Sequence, residues 1–136
     1  MEKLYFPPTP TSPEINFSPE EKIFFMRGIS RPEDVRRLYY PVIEWFREYI
    51  DTILEDNSNP YSPDSPLKFQ VDLEYFNSSS AKFLYDIFLE LKRLISSGIP
   101  VILEWLYDEE DTDLREAGSD IASLIEMEFT YVPKTR

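Results

Sequence analysis

A change in the spacing of apolar residues between positions 67 and 95 constrains the fold of this chain more than any other feature. From Leu67 to Tyr75 every second residue is apolar, which predicts a β-strand with one buried face. From Phe83 to Ile95 the apolar residues recur at intervals of three and four, which predicts a helix ended by Gly98. A strand therefore passes into a helix at Asn77–Ser80, and such units build α/β folds.

Proline positions divide the rest of the chain. Of 136 residues 12 are proline and only 3 are glycine, and the prolines concentrate in 6–19 and 60–66. These clusters predict a Pro-rich N-terminal arm over 6–19, with a brief edge strand at Ile15 and Phe17, and a loop over 56–66. Nothing in either segment indicates a domain boundary, and the length suits one domain over 1–136.

The remaining pattern predicts a single α/β domain. Further elements are expected as a strand at Lys22–Arg27, a helix from Pro32, a strand at Ile99–Tyr107, a helix at Asp113–Ile125 and a strand at Glu128–Val132. Pro41 is expected to kink or divide the first helix, and Gly118 to permit close packing of the third. The run Ile99–Tyr107 is almost wholly apolar, which predicts a strand buried on both faces. The order β-β-α-β-α-β-α-β indicates a sandwich with a mixed, mostly parallel sheet.

Composition excludes several classes of function. The formal net charge of −12, from 26 acidic and 14 basic residues, would repel nucleic acid and anionic membrane surfaces. The absence of Cys and His removes thiolate and imidazole chemistry and the usual zinc ligands. The acidic run at 108–113 is interpreted as a helix-capping turn rather than a cation site. We expect a cytoplasmic binding protein without metal or other cofactor, not an enzyme.

The hydroxyl-rich junction Asn77–Ser80 permits two interpretations. Asn and Ser oxygens satisfy the free N–H groups of a first helical turn, so these residues could serve only as a cap. A serine at this place is also a good acceptor of a phosphate, which the helix dipole and the free N–H groups would stabilise. A phosphate adds roughly −1.5 to −2 charges. The pattern alone leaves both readings open.

Several blocks of the sequence resemble the SiaC family of bacterial regulatory phosphoproteins. The most specific block is Tyr75-Phe76-Asn77-Ser78-Ser79-Ser80. The other blocks, in the same order as in the family, are Thr9-Pro10-Thr11-Ser12-Pro13-Glu14-Ile15, Pro32-Glu33, Pro41-Val42-Ile43-Glu44-Trp45, Trp105-Leu106-Tyr107-Asp108 and Glu116-Ala117-Gly118. Together they span nearly the whole chain.

This resemblance implies a STAS-like fold of the anti-sigma factor antagonist type and a role in signalling. It implies that Ser78 is phosphorylated by a partner kinase and dephosphorylated by a PP2C-type phosphatase, with Ser79 and Ser80 as alternative sites. The unmodified form would bind and activate a diguanylate cyclase through Tyr75, Asn77 and the three serines. The alternative is a constitutive protein–protein interaction module in which the serines only cap a helix.

Overall fold

The computed structural model describes residues 1–55 and 59–135. The elements are β1 (Leu4–Phe6), β2 (Glu14–Ser18), β3 (Ile23–Ser30), α1 (Val35–Glu55), β4 (Leu67–Phe76), α2 (Ser78–Ser96), β5 (Val101–Asp108), α3 (Thr112–Ile125) and β6 (Thr130–Lys134). Every element predicted from the sequence is present, and β1 is additional. The predicted loop 56–66 falls partly outside the described residues, at 56–58.

The six strands form one sheet in chain order, from β1 to β6. The strands β1, β2 and β3 pair antiparallel, whereas β3, β4, β5 and β6 pair parallel, so the predicted mixed sheet is confirmed. The predicted edge position of Ile15 and Phe17 is wrong, because β1 pairs with β2 through Phe6 and Leu4 and forms the edge itself. With three residues, β1 is too short to show an apolar period.

All three helices cover the same face of the sheet. Crossovers between parallel strands are right-handed in nearly all proteins, so strands added in one direction receive their helices on one side. The burial of alternate residues agrees with this, since Phe69, Val71 and Leu103 are buried while their neighbours along the strands are more exposed. The prediction that β5 is buried on both faces is therefore wrong. The face opposite the helices carries polar pairs, including a Gln70–Glu104 hydrogen bond and an Arg27–Glu14 ion pair, beside exposed apolar residues such as Ile102.

The core between the sheet and the helices is largely aromatic. Phe17 lies at its centre, with ring centroids at 5.3 Å from Phe46, 5.4 Å from Phe69 and 5.7 Å from Trp45. Such tilted ring pairs add to the stabilisation from burial alone. The aromatic residues of the chain thus mainly build the core.

The first helix begins later than predicted. It starts at Val35 rather than Pro32, because the hydrogen bonds of Asp34 make that residue the N-cap. The Asp34 Oδ1 atom accepts a hydrogen bond of 3.1 Å from the N–H of Arg37, which satisfies one of the helix's unpaired donors.

Pro41 does not divide α1. The helix is assigned without a break over Val35–Glu55, and Pro41 lies exposed inside it. Proline removes one backbone hydrogen bond from a helix, while the buried stripe of α1, which includes Val42, Phe46 and Ile50, holds the segment against the sheet. Packing of that stripe outweighs the local loss.

Gly118 permits close packing of α3 against β5, as the sequence predicts. A Cβ atom at this position would lie 2.5 Å from Cε2 of Trp105. The Trp105 side chain is 1% exposed, and its Nε1–H donates to the backbone oxygen of Leu114 at 3.0 Å. The indole is therefore fixed on both sides and has no room to move away.

We expect Gly118→Ala to lower the free energy of unfolding by about 1–3 kcal/mol through overpacking against Trp105. Urea unfolding followed by far-UV circular dichroism measures this change. The matched control is Ser123→Ala, an exposed position of the same helix, which should shift stability by less than about 0.5 kcal/mol. Equal stability of the Gly118→Ala protein and the wild type would contradict this account of the α3–β5 contact.

Candidate functional site

The junction between β4 and α2 is a capped turn. Asn77 lies between the two elements in an extended conformation, and its Oδ1 atom accepts a hydrogen bond of 2.9 Å from the N–H of Ser80. The N–H of Asn77 donates to the backbone oxygen of Ser30, the last residue of β3, at 3.0 Å. Asn77 is thus the N-cap of α2 and also a link between two neighbouring strands.

The three serines of this turn have different environments. The side chains of Ser78 and Ser79 are exposed, and neither hydroxyl makes a hydrogen bond within 1–55 and 59–135. Ser80 is 0% exposed, donates to the backbone oxygen of Ser30 at 3.0 Å and accepts from its Oγ atom at 2.7 Å. Of the three hydroxyls, those of Ser78 and Ser79 are therefore open to an enzyme, while that of Ser80 is part of the interior.

A β-bulge places Tyr75 at the surface beside this turn. The register between β3 and β4 shifts between Gly28 and Ile29, where Gly28 pairs with Leu73 and Ile29 pairs with Tyr75. Tyr75 is consequently 52% exposed, which corrects the predicted buried position on the same face as Leu73. The next residue, Phe76, packs its ring against Trp105 at 5.9 Å. Bulges often redirect side chains next to functional sites.

Two buried residues with hydroxyl groups support the turn from the protein interior. The sequence pattern does not reveal either of them. Ser30 and Tyr39 are both 0% exposed, and their hydroxyl oxygens lie 2.6 Å apart. Burial raises the pKa of Tyr39 to about 12, so its hydroxyl stays protonated across the physiological range. Ser30 ends a strand and Tyr39 belongs to an apolar helix stripe, so a joint polar role had no signal in the sequence.

The electrostatic surroundings of Ser78 suit an added anion. As the first residues of α2, Ser78 and Ser79 carry N–H groups without an intrahelical acceptor, at the positive end of the helix dipole. Lys82, one turn further along α2 from Ser78, forms an ion pair of 2.9 Å with Asp86. A phosphate on Ser78 would lie one helical turn from Lys82 and compete with Asp86 for it.

The acidic run at 108–113 caps a helix, as its sequence indicates. Asp111 is the N-cap of α3, and its Oδ1 atom accepts from the N–H of Leu114 at 3.0 Å. This run borders a cavity of about 400 Å³ at the carboxyl ends of β4, β5 and β6, where Lys134 forms an ion pair with Asp72. Within the described part of the chain, no group of three or more His, Cys, Asp or Glu residues is arranged to hold a metal ion.

Comparison with known proteins agrees with this fold. The sequence profile described as "SiaC family regulatory phosphoprotein" matches residues 6–134. The chain is 30% identical over 120 residues to the Uncharacterized protein PA14_02130 of Pseudomonas aeruginosa (strain UCBPP-PA14), covering 88% of this chain and 87% of that protein.

Solved structures of SiaC share the fold of this chain over nearly its whole length. The crystal structure of apo-SiaC from Pseudomonas aeruginosa superposes with a TM-score of 0.79 at 26% identity, covering 97% of this chain and 99% of that one. SiaC in the crystal structure of the diguanylate cyclase SiaD with its activator SiaC, from the same organism, gives a TM-score of 0.78 at 26% identity, covering 98% and 99%.

The fold defines a small α/β protein with one mixed six-stranded sheet and three helices. The chain belongs to the SiaC family of regulatory phosphoproteins. None of the helices in its described residues has the length and apolarity needed to cross a membrane.

Capping and accessibility can be separated by mutation at this turn. We expect Asn77→Ala to lower the free energy of unfolding by about 0.5–2 kcal/mol, because it removes the acceptor for the Ser80 N–H. Ser78→Ala should change it by less than about 0.5 kcal/mol, because the exposed Ser78 hydroxyl caps nothing. Asp111→Ala, which removes the cap of α3, is the matched control for Asn77→Ala. Chemical denaturation measures all three, and an equal loss for Ser78→Ala and Asn77→Ala would contradict the assignment of the cap.

Proposed function

We propose that this protein is a non-catalytic signalling protein whose reversible phosphorylation on Ser78 controls its binding to a target enzyme, a diguanylate cyclase. The observation that carries the proposal is the exposed, unbonded Ser78 hydroxyl at the first position of α2, between the cap Asn77 and the buried Ser80. A partner kinase would add the phosphate and a PP2C-type phosphatase would remove it. The unmodified form would be the one that binds.

Membership of a family of regulatory phosphoproteins supports the proposal. The relative named SiaC from Pseudomonas aeruginosa forms a complex with the diguanylate cyclase SiaD, for which it is described as the activator. Since the two chains share a fold over nearly their whole length, a target enzyme of the same class is the simplest expectation for this protein.

The docking surface that we propose includes Tyr75, Asn77, Ser78 and Ser79. Tyr75 is half exposed because of the bulge in β4, and exposed tyrosines are frequent anchors of protein interfaces. The adjacent turn offers small hydroxyl side chains and the N–H groups of Ser78 and Ser79, which have no intrahelical acceptor, so a partner can approach the backbone closely. Ser80 would contribute from the interior by holding the turn rather than by touching the partner.

Phosphorylation would oppose docking through charge and bulk. In the free protein a phosphate on Ser78 would have stabilising neighbours, since the N–H groups of Ser78 and Ser79 lack an intrahelical acceptor and Lys82 lies one helical turn further along α2. In a complex the same group would be buried against the partner, and an unpaired charge at an interface costs about 2–5 kcal/mol. This cost corresponds to a loss of affinity of roughly 30-fold to several thousandfold.

Phosphopeptide mapping of the protein from its own cells, in several growth states, tests the modification. We expect partial phosphate on Ser78 that varies with growth state, and none on Ser80, whose hydroxyl is buried and bonded. Cells carrying Ser78→Ala and cells carrying Ser79→Ala form a matched pair, because both hydroxyls are exposed and adjacent. Only the first substitution should abolish the modification, and its persistence in the Ser78→Ala protein would exclude Ser78 as the acceptor.

Binding is tested with protein that carries phosphoserine at a chosen position, made by codon suppression. Titrated against the diguanylate cyclases of the same organism, phosphoserine at 78 should weaken binding by at least about 30-fold relative to the unmodified protein. Phosphoserine at the exposed, distant position 62 is the control and should leave the affinity within about threefold. Equal affinities for the unmodified protein and the protein phosphorylated at 78 would favour a constitutive interaction module.

A further inference from the structure

The turn that carries Ser78 is anchored at both of its ends to the protein interior. At one end the N–H of Asn77 donates to the Ser30 backbone oxygen at 3.0 Å, and at the other the Ser80 hydroxyl donates to the same oxygen at 3.0 Å. Both lone pairs of that carbonyl are thereby used. Ser78 and Ser79 lie between the two anchors, so the positions of their exposed side chains depend on a single acceptor at the end of β3.

Next to this acceptor the hydroxyls of Tyr39, Ser30 and Ser80 form a chain of hydrogen bonds, in which the donor of each bond can be assigned. Each hydroxyl has one proton to donate. The Ser80 proton is donated to the Ser30 backbone oxygen, and the Ser30 proton is donated to Ser80 Oγ at 2.7 Å. The contact of 2.6 Å between Tyr39 and Ser30 must therefore have Tyr39 as its donor. The chain runs from Tyr39 in α1 through Ser30 in β3 to Ser80 in α2, and Tyr39 is its first donor.

Buried polar side chains are concentrated at the junction. The polar side chains classed as buried in the described residues are Ser18, Ser30 and Ser80, and two of these three belong to the chain. Buried, fully bonded hydroxyl networks specify one arrangement of the elements they join, because any displaced member would leave an unpaired polar group in the interior. Here the joined elements are α1, the end of β3 and the first turn of α2, which carries the proposed switch.

We propose that Tyr39 is a positioning residue for the Ser78 switch, its hydroxyl fixing the first turn of α2, through Ser30 and Ser80, in the geometry that the kinase and the target enzyme recognise. This inference rests on the proposed function and extends it to a residue in α1 that touches neither partner. Enzymes and interfaces depend on groups held to within a fraction of an ångström, and such precision comes from the residues behind the contact surface.

The chain offers a matched control on the same helix. Tyr49, also in α1, shares a hydrogen bond of 2.6 Å with the buried hydroxyl of Tyr61, in the described segment that follows α1. Tyr39→Phe and Tyr49→Phe therefore each remove one buried tyrosine hydroxyl from one hydroxyl–hydroxyl pair. Both phenyl rings can keep their packing, since Tyr39 stacks on Phe83 at 5.4 Å and Tyr49 stacks on Phe24 at 5.7 Å.

The experiment compares the wild type and the two variants by residue-resolved amide hydrogen exchange, and by phosphate occupancy of Ser78 in the protein's own cells. We expect similar decreases in melting temperature for the two variants. Only Tyr39→Phe should accelerate exchange at the N–H groups of Asn77 and Ser80, by about three- to tenfold. Only Tyr39→Phe should also lower Ser78 occupancy and the affinity for the cyclase.

A second comparison separates anchoring from stability. Ser30→Ala leaves the buried Tyr39 hydroxyl without an acceptor, whereas Ser30→Ala with Tyr39→Phe removes both partners. The double variant should recover part of the stability lost in Ser30→Ala, yet exchange at Ser80 should stay fast. Slow, wild-type exchange at the N–H groups of Asn77 and Ser80 in Tyr39→Phe would overturn the positioning role. Equal acceleration of that exchange by Tyr39→Phe and Tyr49→Phe would overturn it as well. If wild-type Ser78 carries no phosphate in any growth state, the proposed function fails, and the exchange rates and cyclase affinities still decide the role of Tyr39.

Discussion

The burial of one apolar core against one face of the sheet is the constraint on which the rest of the structure depends. Because β3 to β6 are added in one direction, their helices share a face, and α1 and α2 begin side by side at the carboxyl ends of β3 and β4. The last residue of β3 thus lies beneath the first turn of α2. The contact between Ser30 and Ser80 follows from the topology rather than from any local motif.

The same topology divides the junction into an interior part and a surface part. Within four consecutive residues, Asn77 caps the helix, Ser80 bonds to the interior, and Ser78 and Ser79 face solvent. An enzyme can reach the middle pair without unfolding either end, since the anchoring bonds lie behind them. The bulge in β4 adds an exposed aromatic ring at the rim of the same surface, which a regular strand would have buried.

The sequence predicts the elements and the junction, but not the arrangement around it. The strand 67–76 and the helix after it follow from periods of two and of three to four, which require only local information. The exposure of Tyr75 cannot be predicted from such a period, because it depends on a register shift of β4 against β3. The one-sided burial of β5 does not follow from the sequence either, since an apolar run cannot show how many helices lie on each side of the strand. The roles of Ser30 and Tyr39 depend on contacts across 50 and 9 residues, and these exist only in the folded chain.

Separation of the cap, the anchor and the acceptor has a thermodynamic consequence for a switch. A domain of this size is stable by only about 5–15 kcal/mol, and losing a helix cap costs about 1 kcal/mol of that. If the modified hydroxyl were itself the cap or the anchor, each phosphorylation would weaken the fold as it altered binding. With Asn77 as the cap and Ser80 as the anchor, a phosphate on Ser78 would meet N–H groups without an intrahelical acceptor, one helical turn from Lys82, and would break none of the anchoring bonds. Binding would then change while the fold stays intact, and this favours the exposed start of α2 over the buried Ser80 as the place of the proposed regulation.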